Sequence, residues 1–173
     1  MMLACRLAAL AALFLSLVSA QVVADTSALP APQGAPILIV TGAIARTNVA
    51  GGAQFDAAQI AALPRRSITT ATPWYDTPRT FEGPLLRDLL AAIGASGKTL
   101  HVEALNDYAA DLPFADVLRY DVVIADRIDG QPIPVRERGP LFIMYPFDQV
   151  PQLKSEQYYQ RAVWQVKSIA VQP

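Results

Sequence analysis

The run from Gly83 to Ile93, Gly-Pro-Leu-Leu-Arg-Asp-Leu-Leu-Ala-Ala-Ile, followed by Gly94, restricts the possible folds more than any other stretch. Proline suits the first position of a helix, where its missing amide has no partner to lose, and glycine suits the residue just past the end. Leu85, Leu86, Leu89, Leu90 and Ile93 recur at helical spacing, while Arg87 and Asp88 fall on the opposite face. A helix with a single apolar stripe has to bury it, most simply against a sheet.

The rest of the chain supplies that sheet. Ile37 to Val40 is a compact run of strand formers, and Thr99 to Leu105 alternates, with Leu100, Val102 and Ala104 on one side and His101 and Glu103 on the other. Asp121 to Asp126 and the very apolar Leu141 to Tyr145 read as buried strands, and Val163 to Val171 as a final alternating one. Ser67 to Thr72 has the β-branched character of a further strand. Asp129-Gly130 is a tight-hairpin pair, with Ile133 to Val135 returning as a proline-broken edge. Gly51-Gly52 marks a turn. Asp56 followed three residues later by Gln59 resembles a capping box, with Phe55 and Ile60 placed as a staple, so a short helix is expected from Ala57 to Leu63, ended by Pro64. Ser155 to Ala162 is helical in pattern, and Phe114 to Arg119 makes one or two helical turns. Six or seven strands and two or three packed helices, not strictly alternating, predict an α+β fold with a mixed sheet or partial barrel.

The N-terminus reads as a targeting segment. Residues 1–20 carry one positive charge at Arg6, then an apolar run from Leu7 to Val18, then Ser19 and Ala20, the pattern of a secretory signal peptide cleaved after Ala20 or after Ala24. The apolar run of about 12 residues is short of the ~20 a spanning helix needs, so no membrane span is expected in the mature chain. Residues 21–36 form a flexible Pro-rich leader, and residues 37–173 a single domain. The expected location is secreted, periplasmic. Cys5 is the only cysteine, so the mature chain has no disulfide, thiolate ligand or cysteine nucleophile. With 14 basic and 15 acidic residues there is no electrostatic footprint for nucleic acid.

The sequence carries none of the common catalytic motifs. There is no Gly-rich phosphate loop, no nucleophile elbow and no paired-histidine helix; His101 is the lone histidine, and the aspartates from Asp107 to Asp129 match no calcium loop. Three clusters are candidates for binding. Asn106, Asp107 and Tyr108 follow a strand directly, where short polar side chains either aim into a cleft or fold back on their own backbone. Arg136 and Arg138 flank Glu137 ahead of Gly139-Pro140, and either hold an anion or form surface ion pairs. Trp74, Tyr75 and Arg79 occupy what reads as a proline-bounded loop before the Leu-rich helix, either a pocket wall or, for Trp74, a core plug.

Several segments taken together resemble a known family. Phe81-Glu82-Gly83-Pro84-Leu85-Leu86-Arg87-Asp88-Leu89-Leu90 is similar to the aromatic-x-Gly-x-Pro-Leu-x-x-Leu-Leu segment of the molybdopterin-binding domain of sulfite-oxidase-type oxidoreductases, with its Gly-Pro spacing shifted. Asn106-Asp107-Tyr108 with Leu112-Pro113, Asp129-Gly130-Gln131-Pro132-Ile133, Gly139-Pro140-Leu141 and Val163-Trp164-Gln165-Val166 look like a small secreted branch of that superfamily. The resemblance implies the sulfite-oxidase molybdopterin-domain fold. In the catalytic members a cysteine upstream of the aromatic-Gly segment coordinates molybdenum, whereas the corresponding region here, Thr69 to Thr72, offers threonine and alanine. A thiolate completes that metal's sulfur-rich ligation, and a hydroxyl is a poor substitute. Two functional expectations follow. The first is a protein without molybdenum redox catalysis that binds a small anionic ligand or a periplasmic protein partner through Trp74, Arg79, Asn106, Asp107, Tyr108, Arg136 and Arg138. The second is an oxidoreductase that retains molybdopterin without the usual cysteine.

Overall fold

The structure is a computed structural model and describes residues 29–173; the expected signal peptide and the first part of the leader lie outside the described residues. The chain runs β1 (Pro36–Gly42), β2 (Gly52–Asp56), α1 (Ala57–Ala62), β3 (Arg65–Thr72), β4 (Tyr75–Pro84), α2 (Leu86–Ala92), β5 (Thr99–Ala104), β6 (Ala109–Pro113) and α3 (Phe114–Arg119). It continues through β7 (Val123–Ala125), β8 (Arg127–Ile128), β9 (Gln131–Pro132), β10 (Phe142–Met144), α4 (Glu156–Arg161) and β11 (Val166–Gln172). Single 3-10 turns at Val135–Glu137 and Pro151–Leu153 interrupt the loops.

The strands form three sheets. A mixed five-stranded sheet has the order β2-β1-β11-β5-β6, with β1 and β11 parallel and every other pair antiparallel. A four-stranded antiparallel sheet has the order β3-β4-β8-β9, and β7 pairs antiparallel with β10. The fold is α+β, as the sequence predicts, built from more and shorter strands than expected. One core joins the three sheets. Leu38 and Val40 of β1, Leu100, Val102 and Ala104 of β5 and Ile169 and Val171 of β11 meet Leu86, Leu89 and Leu90 of α2 there, all buried. The short strands β7 and β10 are buried at every position, which is why they read as uninterrupted apolar runs.

Local chemistry explains most of the element boundaries. The capping box at the start of α1 is complete: Asp56 accepts from Gln59 N at 2.8 Å and the Gln59 side chain accepts from Asp56 N at 3.0 Å. The other Asp56 oxygen accepts from Gln33 N and Gly34 N, both at 2.8 Å, while Asn48 and Gln59 donate to the Pro30 carbonyl. The second half of the Pro-rich leader is therefore tied to the start of α1. At the end of α2, Arg46 Nη1 donates to the Ala92 carbonyl at 2.9 Å, a cation at the negative pole of the helix.

Three local expectations are corrected. The stretch holding Tyr75 and Arg79 is not a loop but strand β4, paired with β3 at Tyr75 and from Arg79 to Pro84 with a register shift between. Its prolines do not end it: Pro78 has no residue opposite it in the β3 register, and Pro84 is the last residue of the strand. Pro84 is consequently not the first helical residue, and α2 begins at Leu86 behind the uncapped Leu85. Gly83 is needed where β4 meets β7, because a Cβ there would overlap the Ile124 carbonyl oxygen. The return arm of the Asp129-Gly130 hairpin is Gln131–Pro132, and Val135 already belongs to a 3-10 turn. Residues 114–119 fold as a helix, which brings the α-helices among the described residues to four.

Candidate functional site

The four-stranded sheet, the 3-10 turn at Val135–Glu137 and the approach to β11 enclose a cleft of about 730 Å³. Tyr75 and Arg79 of β4 form one wall, Asp129 and Gln131 of the hairpin a second, and Arg136, Arg138, Trp164 and Gln165 close it. Each side chain is held by its element. Asp129 and Gly130 both have positive φ, 50° and 77°, as a tight hairpin turn of this type requires. The Asp129 carboxylate accepts from Thr80 N at 2.8 Å and from Arg79 Nε. These hydrogen bonds hold its pKa below the usual carboxylate range, the Thr80 amide contributing most. Arg79 is thereby neutralised, and its guanidinium also lies 5.3 Å from the Tyr75 ring.

Arg138 is different. It closes the 3-10 turn with φ of 79°, in the left-handed region that side chains other than glycine's rarely adopt. Three backbone contacts hold it there: Glu137 N and Gly139 N both donate to the Pro134 carbonyl at 2.8 Å, and Gln165 N donates to the Arg138 carbonyl at 3.0 Å. The Gln165 side chain adds a bond to the Val135 carbonyl at 2.7 Å. A Cβ at position 139 would overlap the Ile133 carbonyl oxygen, so only glycine can follow. The half-buried Arg138 guanidinium sits 5.0 Å from the Tyr75 ring and 5.6 Å from the Trp164 ring, with no carboxylate partner among the described residues. By contrast Arg136 is 83% exposed and pairs with Glu137 at 3.2 Å, the surface ion pair that was one of its two readings.

Trp164 also lines a second cleft of about 230 Å³, together with Pro73, Trp74, Tyr108, Glu156, Tyr159 and Ala162. Trp74 lies 5.6 Å from both Phe142 and Trp164 and 6.1 Å from Tyr159, so it is at once anchored on the core and part of a pocket wall. The Tyr108 hydroxyl donates to the Gln160 carbonyl at 2.8 Å and ties the β5–β6 turn to α4. Asn106 and Asp107 occupy the same turn but line neither cleft. Asn106 Oδ1 accepts from Tyr108 N at 3.2 Å, and Asp107, with φ of 64°, pairs with Lys167 at 2.8 Å, which lowers its pKa. Thus the structure brings Arg79, Arg136 and Arg138 together in one cleft and Trp74 and Tyr108 in the next. Trp164 and Gln165 were not among the sequence candidates; the only signal for them was the Val-Trp-Gln-Val segment.

Where the resemblance places a molybdenum-ligating cysteine, the structure has the end of β3. Thr69 Oγ1 lies 2.9 Å from Thr80 Oγ1, and the buried Thr70 hydroxyl donates to the Ala71 carbonyl and accepts from Asp148 N at 3.1 Å. Among the described residues there is no thiol, and no three His, Cys, Asp or Glu side chains are grouped as a metal site. This donor set does not fit a thiolate-ligated molybdenum. Among the described residues, too, no helix is long and apolar enough to cross a membrane.

Comparison with known proteins places the fold. A family model for the oxidoreductase molybdopterin binding domain matches residues 53–148, from β2 to the segment after β10. Among solved structures, the sulfane dehydrogenase SoxCD from Paracoccus pantotrophus matches with a TM-score of 0.59 and 19% identity over 78% of this chain. The match covers 37% of the SoxCD chain, so the likeness concerns one part of a larger molecule. No curated protein matches. Since the family match takes in more than half of the sequence and the fold agrees with it, the chain belongs to the oxidoreductase molybdopterin-binding domain family.

Proposed function

We propose that this chain is a secreted, periplasmic member of the family that binds a small anionic ligand in the Arg138 cleft and carries out no molybdenum redox chemistry. One observation carries the reading. Arg138 is a cation held in an unfavourable backbone conformation, between two aromatic rings and facing a cleft, without a carboxylate to neutralise it. Strained non-glycine residues persist where the surroundings over-determine them and cluster at binding sites. A guanidinium flanked by rings is held by its faces and keeps its N–H edge for a planar carboxylate or a phosphate. Arg79, already paired with Asp129, sets the opposite wall, and the Gln165 amide bonds position Arg138.

The experiment is isothermal titration of the signal-cleaved protein with acetate and with inorganic phosphate, repeated on Arg138→Gln. A charge-assisted hydrogen bond contributes about 1.5–3 kcal/mol, so the variant is expected to bind roughly tenfold or more weakly. Equal affinity in both proteins would remove Arg138 from the site. Metal analysis of protein from its native host tests the redox half: stoichiometric molybdenum would favour the cofactor-retaining oxidoreductase instead.

A further inference from the structure

We infer that the ligand of the Arg138 cleft is an aryl-bearing organic anion, with its carboxylate at Arg138 and its ring in the neighbouring aromatic cleft. The inference rests on the anion-binding reading and names the class of ligand. Trp164 is the wall the two clefts share. The Arg138 guanidinium lies 5.6 Å from its ring, and the Trp74 ring also lies 5.6 Å from it. An anion on Arg138 is therefore about one indole away from a space walled by Pro73, Trp74, Tyr108 and Tyr159.

Size and chemistry select the tail. An apolar cavity of about 150 Å³ admits benzene, so a cleft of about 230 Å³ accommodates one aromatic ring and a short spacer. Ring-on-ring contact with Trp74 and Tyr159 contributes beyond the area buried. An inorganic anion would leave this cleft to water, and the 43% exposed Tyr108 ring, pinned at 2.8 Å by its hydroxyl to α4, would have nothing to cover. Charge sets the direction of entry. The charged residue lining the aromatic cleft is Glu156, which repels an anionic head, whereas Arg138 attracts it in the cleft that shares Trp164.

The test is a calorimetric series on the signal-cleaved chain with acetate, phenylacetate, 3-phenylpropionate and 4-phenylbutyrate. Affinity is expected to rise about tenfold or more from acetate to the best aryl member, because one buried ring outweighs 1.4 kcal/mol. Trp74→Ala and Tyr108→Ala should each lower the ratio of aryl to acetate affinity at least about fivefold, a readout that cancels any general loss of folded protein. Tyr108 is on the surface, so its variant keeps the test decisive if Trp74→Ala unfolds. Both tryptophans of the chain lie at this junction, so quenching of intrinsic fluorescence by the aryl anions and not by acetate is a second expected result. Aryl anions binding no better than acetate, or a gain that survives both variants, overturns the inference and leaves the anion-binding reading standing. Failure of acetate, phosphate and every aryl anion to bind overturns both.

Discussion

Arg138 combines two opposed contributions to stability. A non-glycine residue in the left-handed region costs of order 1–3 kcal/mol, while two cation–π contacts return about 0.5–1 kcal/mol each. Arg138→Gly removes both, so urea denaturation is expected to show a change within about 1 kcal/mol, alongside the weakened phosphate binding expected for Arg138→Gln. A loss well beyond that would make Arg138 a structural residue. Much of this site is legible in the sequence: Arg136 and Arg138 before Gly-Pro, and the Trp-Tyr pair with Arg79, all line the two clefts. What sequence does not show is which arginine is neutralised. Glu137 is the neighbour of both Arg136 and Arg138 in the chain, and only the left-handed turn at Arg138 sends the two guanidiniums apart. Trp164 and Gln165 escape notice for a similar reason, since a backbone bond to Arg138 from a distant segment is what brings them to the site.

The aromatic residues of the site are supported by strand β10. Phe142 is fully buried and lies 5.6 Å from Trp74, 5.7 Å from Phe81 and 6.1 Å from Trp164. Phe142→Ala is expected to cost about 3–5 kcal/mol by denaturant unfolding and to weaken the near-ultraviolet circular dichroism of both tryptophans in the remaining folded protein. Unchanged tryptophan signals would show that the ring cluster does not depend on β10. Elements whose pattern is self-contained were readable: the Asp56–Gln59 box of α1, the alternation of β5 and the apolar run of β10. β2, β6 and β4 were not, because sequences such as Ala-Ala-Asp-Leu-Pro become strands only through the register a neighbour imposes, here Leu100 opposite Leu112 and His101 opposite Asp111. In β4 the prolines argued for a loop, and the strand survives because Pro78 falls outside the paired register while Pro84 ends it.

For the whole molecule, acid is the sensitive variable. Asp56, Asp121, Asp129 and Asp148 all have pKa values lowered by hydrogen bonds, chiefly from Gln59 N, Arg87, Thr80 N and Lys154 respectively. A carboxylate with a depressed folded-state value stabilises the fold fully above its unfolded value near 3.8, and that stability is lost as pH falls through the folded value. Asp116, raised by burial, works in the opposite sense and is outnumbered. The melting temperature should therefore drop between about pH 5 and pH 2, and the advantage of the native chain over Asp56→Asn should shrink across that window. A constant gap in thermal melts would mean that the Asp56 charge contributes nothing. The order of strands has a consequence in time. β11, the last strand, lies between β1 and β5 in the middle of the five-stranded sheet. Until it is made, no hydrogen-bonded ladder links β1 to β5, so in a chain emerging N-terminus first this sheet closes only once β11 has been synthesised.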